Sequence, residues 1–179
     1  MVQAWYMKDD VSEENRQEEL HLSPPEFIDL DQLYAKTGVL YWKINADDYE
    51  KDELYAKIRS DRGYSYQDNL ELSRDRIADY EQKCKIFFTE HIHSDEEIRF
   101  VLNGSGYFDV RDHEDKWIRI KVEKNDLIVL PAGIYHRFTL DKKDYIKVIR
   151  LFVGEPVWTA INRPADDHPA RVRYLQSKA

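Results

Sequence analysis

Apolar positions along this chain follow two periods, and the change falls near Ile86. Upstream, the spacing is mostly helical. Asp31 to Lys36 reads as a short helix with Gly38 as its stop. Asp47 to Arg59 carries Tyr49, Leu54, Tyr55 and Ile58 toward one side, with Gly63 beyond its end. Ile77, Tyr80 and Cys84 predict a third helix over 74–84. Val39 to Ile44, rich in aromatic and branched residues, reads as a strand. Residues 8–25 are acidic and polar, end in Ser23-Pro24-Pro25, and read as an exposed loop.

From Ile86 onward the pattern is β. Ile86-Phe87-Phe88 leads into His91-Ile92-His93. Glu97 to Leu102 and Tyr107 to Arg111 read as a hairpin around Asn103-Gly104-Ser105-Gly106. Trp117–Val122, Leu127–Leu130, Arg137–Leu140 and Tyr145–Val153 predict further strands. Many short strands separated by turn residues indicate a sandwich or small barrel. The expected fold is mainly β with an α-rich N-terminal part. We read 1–179 as one domain: an α-rich layer with edge strands over 1–85, a barrel core over 86–153, and a proline-containing wrap over 154–179.

Composition narrows the function. Hydrophobic residues make up 42%, enough for one core. No stretch approaches the roughly 20 apolar residues of a membrane span. The first residues lack the basic and apolar regions of a secretory signal. Cys84 is the only cysteine, which excludes an internal disulfide and a thiolate zinc cluster and points to a reducing, cytoplasmic home. A net charge of -8 argues against nucleic-acid binding and, with no apolar repeat for self-association, points to a monomer.

The chemistry concentrates in His91, His93, Glu97 and His136. In a strand, residues two apart share a face, so His91 and His93 aim the same way. Glu97 opens the next strand, and Pro131-Ala132-Gly133 turns the chain so that His136 arrives on another. An all-nitrogen and oxygen set with one carboxylate suits octahedral Fe(II), Ni(II), Mn(II) or Co(II) better than zinc. Four protein ligands leave two open positions, enough for a bidentate substrate. His21, His113 and His168 lie in polar stretches and read as solvated. Arg99 shares the parity of Glu97, and Arg150 interrupts an apolar strand; both read as anion-binding or ion-paired. A divalent ion with one carboxylate keeps a single positive charge. Two inward arginines would add two more, which suits a dianionic chelating ligand. Phe100 and Phe138 could line such a pocket, although pattern alone favours core.

These residues carry a family resemblance. His91-x-His93-x3-Glu97-x6-Gly104 and Pro131-x-Gly133-x2-His136 resemble the two cupin motifs. Lys85 and Asn125 stand where those motifs usually have glycine; asparagine tolerates left-handed backbone. Longer strings, including Gly38-Val39-Leu40-Tyr41-Trp42, Asp95-Glu96-Glu97-Ile98-Arg99, Leu130 to Thr139 and Arg150 to Trp158, are similar to acireductone dioxygenases, the animal type above all.

The resemblance implies a cupin, jelly-roll-like β-barrel and one Fe(2+) or Ni(2+) per chain on His91, His93, Glu97 and His136. It implies Arg99, Arg150, Phe100, Phe138 and Trp158 on the substrate side. The implied substrates are O2 and 1,2-dihydroxy-3-oxo-5-(methylthio)pentene in methionine salvage. Formate and 2-oxo-4-methylthiobutyrate are expected with iron, and methylthiopropionate, formate and carbon monoxide with nickel. It further implies a cytoplasmic, also nuclear, protein with a protein partner at a membrane protein's cytoplasmic tail. Another small-molecule cupin enzyme, or a non-catalytic interaction module, are the alternative readings.

Overall fold

The structure, a computed structural model, describes residues 2–177; Met1, Lys178 and Ala179, included in the expected domain, lie outside them. β1 (Gln3–Tyr6) and β2 (Phe27–Ile28) pair antiparallel. α1 (Leu30–Thr37) begins in a reciprocal capping box between Asp29 and Gln32 and stops at Gly38, φ 81°. β3 (Leu40–Lys43) follows. The helix predicted over 47–59 divides into a 3-10 turn at Tyr49–Lys51 and α2 (Glu53–Arg62). The division falls at Asp52, whose side chain accepts from the Leu54 and Tyr55 amides and so starts a new helix. β4 (Tyr66–Ser73) occupies a stretch where no element is predicted.

α3 (Tyr80–Phe88) lies further along than the helix predicted over 74–84. Ile86-Phe87-Phe88, read as the approach to a strand, is its last turn. Tyr80, Cys84 and Phe87 recur at helical spacing and pack on one core, and this longer apolar face fixes the helix there.

The barrel comprises β5 (His91–Ile92), β6 (Glu97–Arg111), β7 (Trp117–Glu123), β8 (Asp126–Leu130), β9 (His136–Leu140), β10 (Tyr145–Phe152) and β11 (Ile161–Asn162). The predicted hairpin around 103–106 does not form, because β6 continues unbroken through it. Its first half pairs with β8 and β10, its second with β7 and β9. The glycine signal is real but marks a bend. Gly104 has φ 77°, and a Cβ there would lie 2.3 Å from the Tyr145 carbonyl oxygen. The β10 register shifts between Lys147 and Val148, opposite this bend. β6 therefore belongs to two sheets, ordered β11-β5-β9-β6-β7-β1-β2 and β4-β10-β6-β8-β3.

The second sheet is apolar on both faces. Its inner face joins the barrel core, and its outer face, with Phe100, Leu127 and Ile149, is covered by Tyr55 and Ile58 of α2. Burial on both faces accounts for the unbroken run Leu127-Ile128-Val129-Leu130. Asn125 has φ 83°, the left-handed conformation expected where the motif has glycine.

Two terminal segments are more ordered than predicted. Residues 8–25 are irregular, but their backbone receives fully buried Arg119, which donates to the Arg16 and Glu18 carbonyls while pairing with Asp109. The C-terminal wrap contains α4 (Pro169–Gln176), capped by His168 with Pro169 at its first turn. Tyr174 donates its hydroxyl to the Thr37 carbonyl, tying α4 to α1. Among the described residues no helix is long and apolar enough to cross a membrane.

Candidate metal centre

Strand pairing sets two of the imidazoles side by side. His91 of β5 is directly opposite His136 of β9, with ring centroids 4.4 Å apart. His93 follows β5, and its carbonyl accepts from the Gly133 amide, which ties the turn before β9 to the same place. Its ring lies 4.9 Å from His91 and 5.3 Å from His136. One ring nitrogen from each of the three falls within 4.8 Å of the others.

The backbone fixes the tautomers. His91 Nδ1 meets the Thr89 carbonyl at 2.5 Å, His93 Nδ1 the Thr159 carbonyl at 2.9 Å, and His136 Nδ1 the Ile134 carbonyl at 2.9 Å. A carbonyl oxygen can only accept, so each Nδ1 carries the proton. Each Nε2 then presents a lone pair, as a metal ligand must. Burial, with His136 beside it, pushes His91 down to about 4, and burial also lowers His93. At neutral pH these two rings are uncharged.

Glu97 completes the set. Burial alone would raise its pKa, but the Arg99 guanidinium, paired with it, outweighs burial and holds it well below the ordinary carboxylate value. Its Oε2 lies 3.1 Å from His136 Nε2, and its Oε1 lies 3.8 Å from His93 Nε2. His136 Nε2 is buried without a hydrogen-bond partner. With the ring proton on Nδ1, the 3.1 Å contact joins two acceptors. A cation among the four groups removes that repulsion, so the donor set fits one divalent transition ion.

Arg99 and Arg150 lie at the edge of this set, in a cavity of about 290 Å³ also lined by Phe138 and Trp158. Arg99 Nη2 donates to Glu97 Oε1 at 2.9 Å. Arg150 makes a two-pronged pair with Asp68, 2.7 and 2.6 Å. The Trp158 ring is 4.2 Å from the Arg150 guanidinium carbon and 5.7 Å from that of Arg99. Phe138 packs 4.9 Å from Phe108 on the apolar side.

Phe100 is the one expected site residue that the structure does not bring to the cavity. It has the opposite parity to Glu97 and Arg99 and lies on the far face of its sheet. There it is fully buried against Tyr49 and Tyr55, with centroids 5.6 and 5.5 Å away. The charge tally also changes, because Asp68 cancels Arg150. The sequence reading misses Asp68, as it misses β4, which carries that residue beside β10. Ile146 and Val148 line the cavity with Arg150; the sequence reading does not name them, and their i, i+2 spacing from Arg150 is the signal that would have found them. Thr159, in the irregular tail, left no signal.

A barrel with three inward imidazoles and a carboxylate on its wall defines a cupin-type centre. The chain belongs to the ARD/ARD' family, whose sequence profile matches residues 3–160. It is 66% identical over 177 residues to an acireductone dioxygenase of Ixodes scapularis, covering 99% of this chain and 96% of that protein. An acireductone dioxygenase 4 of Arabidopsis thaliana is 58% identical, with 97% of this chain and 91% of that protein covered. Among solved structures, an acireductone dioxygenase from Bacillus anthracis with a cadmium ion in its active centre superposes with TM-score 0.69 at 23% identity. That match covers 90% of this chain and 98% of the other, and establishes the common fold. The chain is an enzyme of the acireductone dioxygenase family.

Proposed function

We propose that His91, His93, Glu97 and His136 hold one Fe(2+) or Ni(2+), and that the chain cleaves 1,2-dihydroxy-3-oxo-5-(methylthio)pentene with O2 in methionine salvage. The iron form gives formate and 2-oxo-4-methylthiobutyrate. The nickel form gives methylthiopropionate, formate and carbon monoxide. The observation that carries this reading is the convergence of three backbone-oriented imidazoles, two of them within 3.8 Å of Glu97, beside Arg99 in a mostly apolar cavity.

Held by His91, His93, Glu97 and His136, the ion would supply Lewis-acid chemistry for a chelating dianion. The chain's own residues do the remainder. Thr89, Ile134 and Thr159 hold the imidazole protons on Nδ1, so the rings need no reorganisation. Arg99 keeps Glu97 ionised and places positive charge beside the substrate's oxygens, favouring the deprotonated form. Arg150, neutralised by Asp68, packs under Trp158 and shapes the wall. Ile146, Val148, Phe108 and Phe138 provide an apolar face for the methylthio tail and limit water near the reacting carbons. The net charge of -8 and the lone, buried Cys84 support catalysis by a cytoplasmic monomer as part of the same proposal.

The test is anaerobic loading of metal-free protein with Fe(II) or Ni(II), then mixing with acireductone and oxygen. The expected products are formate with the 2-oxo acid under iron and carbon monoxide under nickel. Metal binding without oxygen uptake would move the site to another substrate.

A further inference from the structure

Behind the main cavity lies a second, apolar hollow of about 10 Å³. Leu72, Ile77, Lys83, Phe87 and Phe138 border both spaces, and Cys84 lines only the rear one. Phe138 and Phe87, 6.5 Å apart and edge to face, therefore act as a partition. Without it the apolar end of the cavity would run on toward Cys84.

The partition rests on one glycine. Gly106 of β6 has the same parity as Phe108, which lines the cavity, so a side chain at 106 would point inward. A Cβ there would lie 2.9 Å from both Cε2 and Cζ of Phe138 and 3.1 Å from the Thr139 carbonyl oxygen. The backbone at Gly106 is not left-handed, so any residue could adopt it. What requires glycine is the space taken by the Phe138 ring. Any larger residue must displace that ring, and of the two spaces the ring borders, the main cavity is the one with room to take it.

We infer that Phe138, seated on Gly106, sets the longest substrate tail the cavity accepts, and that Gly106 is a positioning residue for tail-length specificity. This rests on the dioxygenase reading. It assigns the apolar end to the substituent on the carbonyl of the acireductone and makes its depth a property of two residues that are not among the metal-facing groups. Enlarging position 106 shortens the accepted tail, and removing the Phe138 ring lengthens it.

The experiment compares iron-loaded wild type, Gly106→Ala and Phe138→Ala on three acireductones whose tails are methyl, methylthioethyl and hexyl. For Gly106→Ala, kcat/KM with methylthioethyl falls on the order of tenfold, while the methyl compound stays within about twofold. For Phe138→Ala, the hexyl-to-methylthioethyl ratio rises on the order of tenfold. A readout independent of turnover is the rate at which a small thiol reagent labels Cys84, which is buried in the wild type. It rises in Phe138→Ala and is unchanged or slower in Gly106→Ala. The same order of tail preference in all three active proteins, or Cys84 labelling unaffected by loss of the ring, overturns the inference. No turnover of any tail by wild type overturns the dioxygenase reading itself, and the tail assignment with it.

Discussion

Arg99 and Arg150 stand directly opposite each other in the β6–β10 ladder. Two like charges in register destabilise a sheet unless each is compensated. Each has its own carboxylate here, Glu97 for Arg99 and Asp68 for Arg150. Asp68→Asn removes one compensation and leaves Arg150 facing Arg99. We expect a stability loss of about 1 kcal/mol, read as a lower denaturant midpoint. The double variant Asp68→Asn, Arg150→Met recovers most of it, because no unpaired charge remains. No recovery would mean that the two arginines do not act on each other.

Arg99 separates metal retention from turnover. Arg99→Ala keeps all four metal-facing groups, so bound metal measured by atomic absorption stays near one ion per chain. Loss of the positive charge beside the substrate lowers kcat by about 10²–10³-fold. Loss of metal in this variant would make Arg99 a structural partner of Glu97 only.

Metal binding stabilises the fold by linkage. Free ion at about 100 times its Kd adds about 2.7 kcal/mol. For a chain of this size, that raises the melting temperature on the order of 5–10 °C. In His136→Ala the shift disappears, since the buried Nε2 that lacks a partner is gone. An equal shift in that variant would place the ion elsewhere.

Glu90, just before β5, is one source of acid sensitivity. It accepts from Arg111 at 2.9 and 3.2 Å and from Arg163 at 2.8 Å. Burial raises its pKa, but the two arginines outweigh burial and hold it below the ordinary 4.5. A depressed carboxylate stabilises the fold above its unfolded pKa and loses that contribution as pH falls through the folded one. The advantage of wild type over Glu90→Gln should therefore be largest above about pH 5, at about 1 kcal/mol, and shrink toward about pH 3. Denaturant melts of both proteins across that range check it. An advantage growing with acidity would reverse the sign.

The meeting of His91, His93, Glu97 and His136 was legible because it depends on short-range rules. Two histidines two apart share a strand face, and the glycine-containing turn before His136 returns the chain. Arg99 followed from parity with Glu97. The same parity puts Phe100 on the other face, so a family resemblance read without alternation misplaced it. The β6 hairpin failed for a different reason. A glycine-rich stretch between two apolar runs serves a tight turn or a bend equally well, and only the crowding of Gly104 by Tyr145 in a distant strand decides. Asp68 and the Thr159 carbonyl were invisible because pairing of β4 with β10, and the return of the tail, are long-range events.

The proposed dioxygenase activity requires one divalent ion on His91, His93, Glu97 and His136. Its most direct test titrates metal-free protein with Fe(II) under argon and measures oxygen uptake with acireductone at each step. Activity should rise in proportion to added metal and break at one ion per chain, with no break in His91→Ala or His136→Ala. Full oxygen uptake by metal-free protein, or by Glu97→Ala, would contradict it.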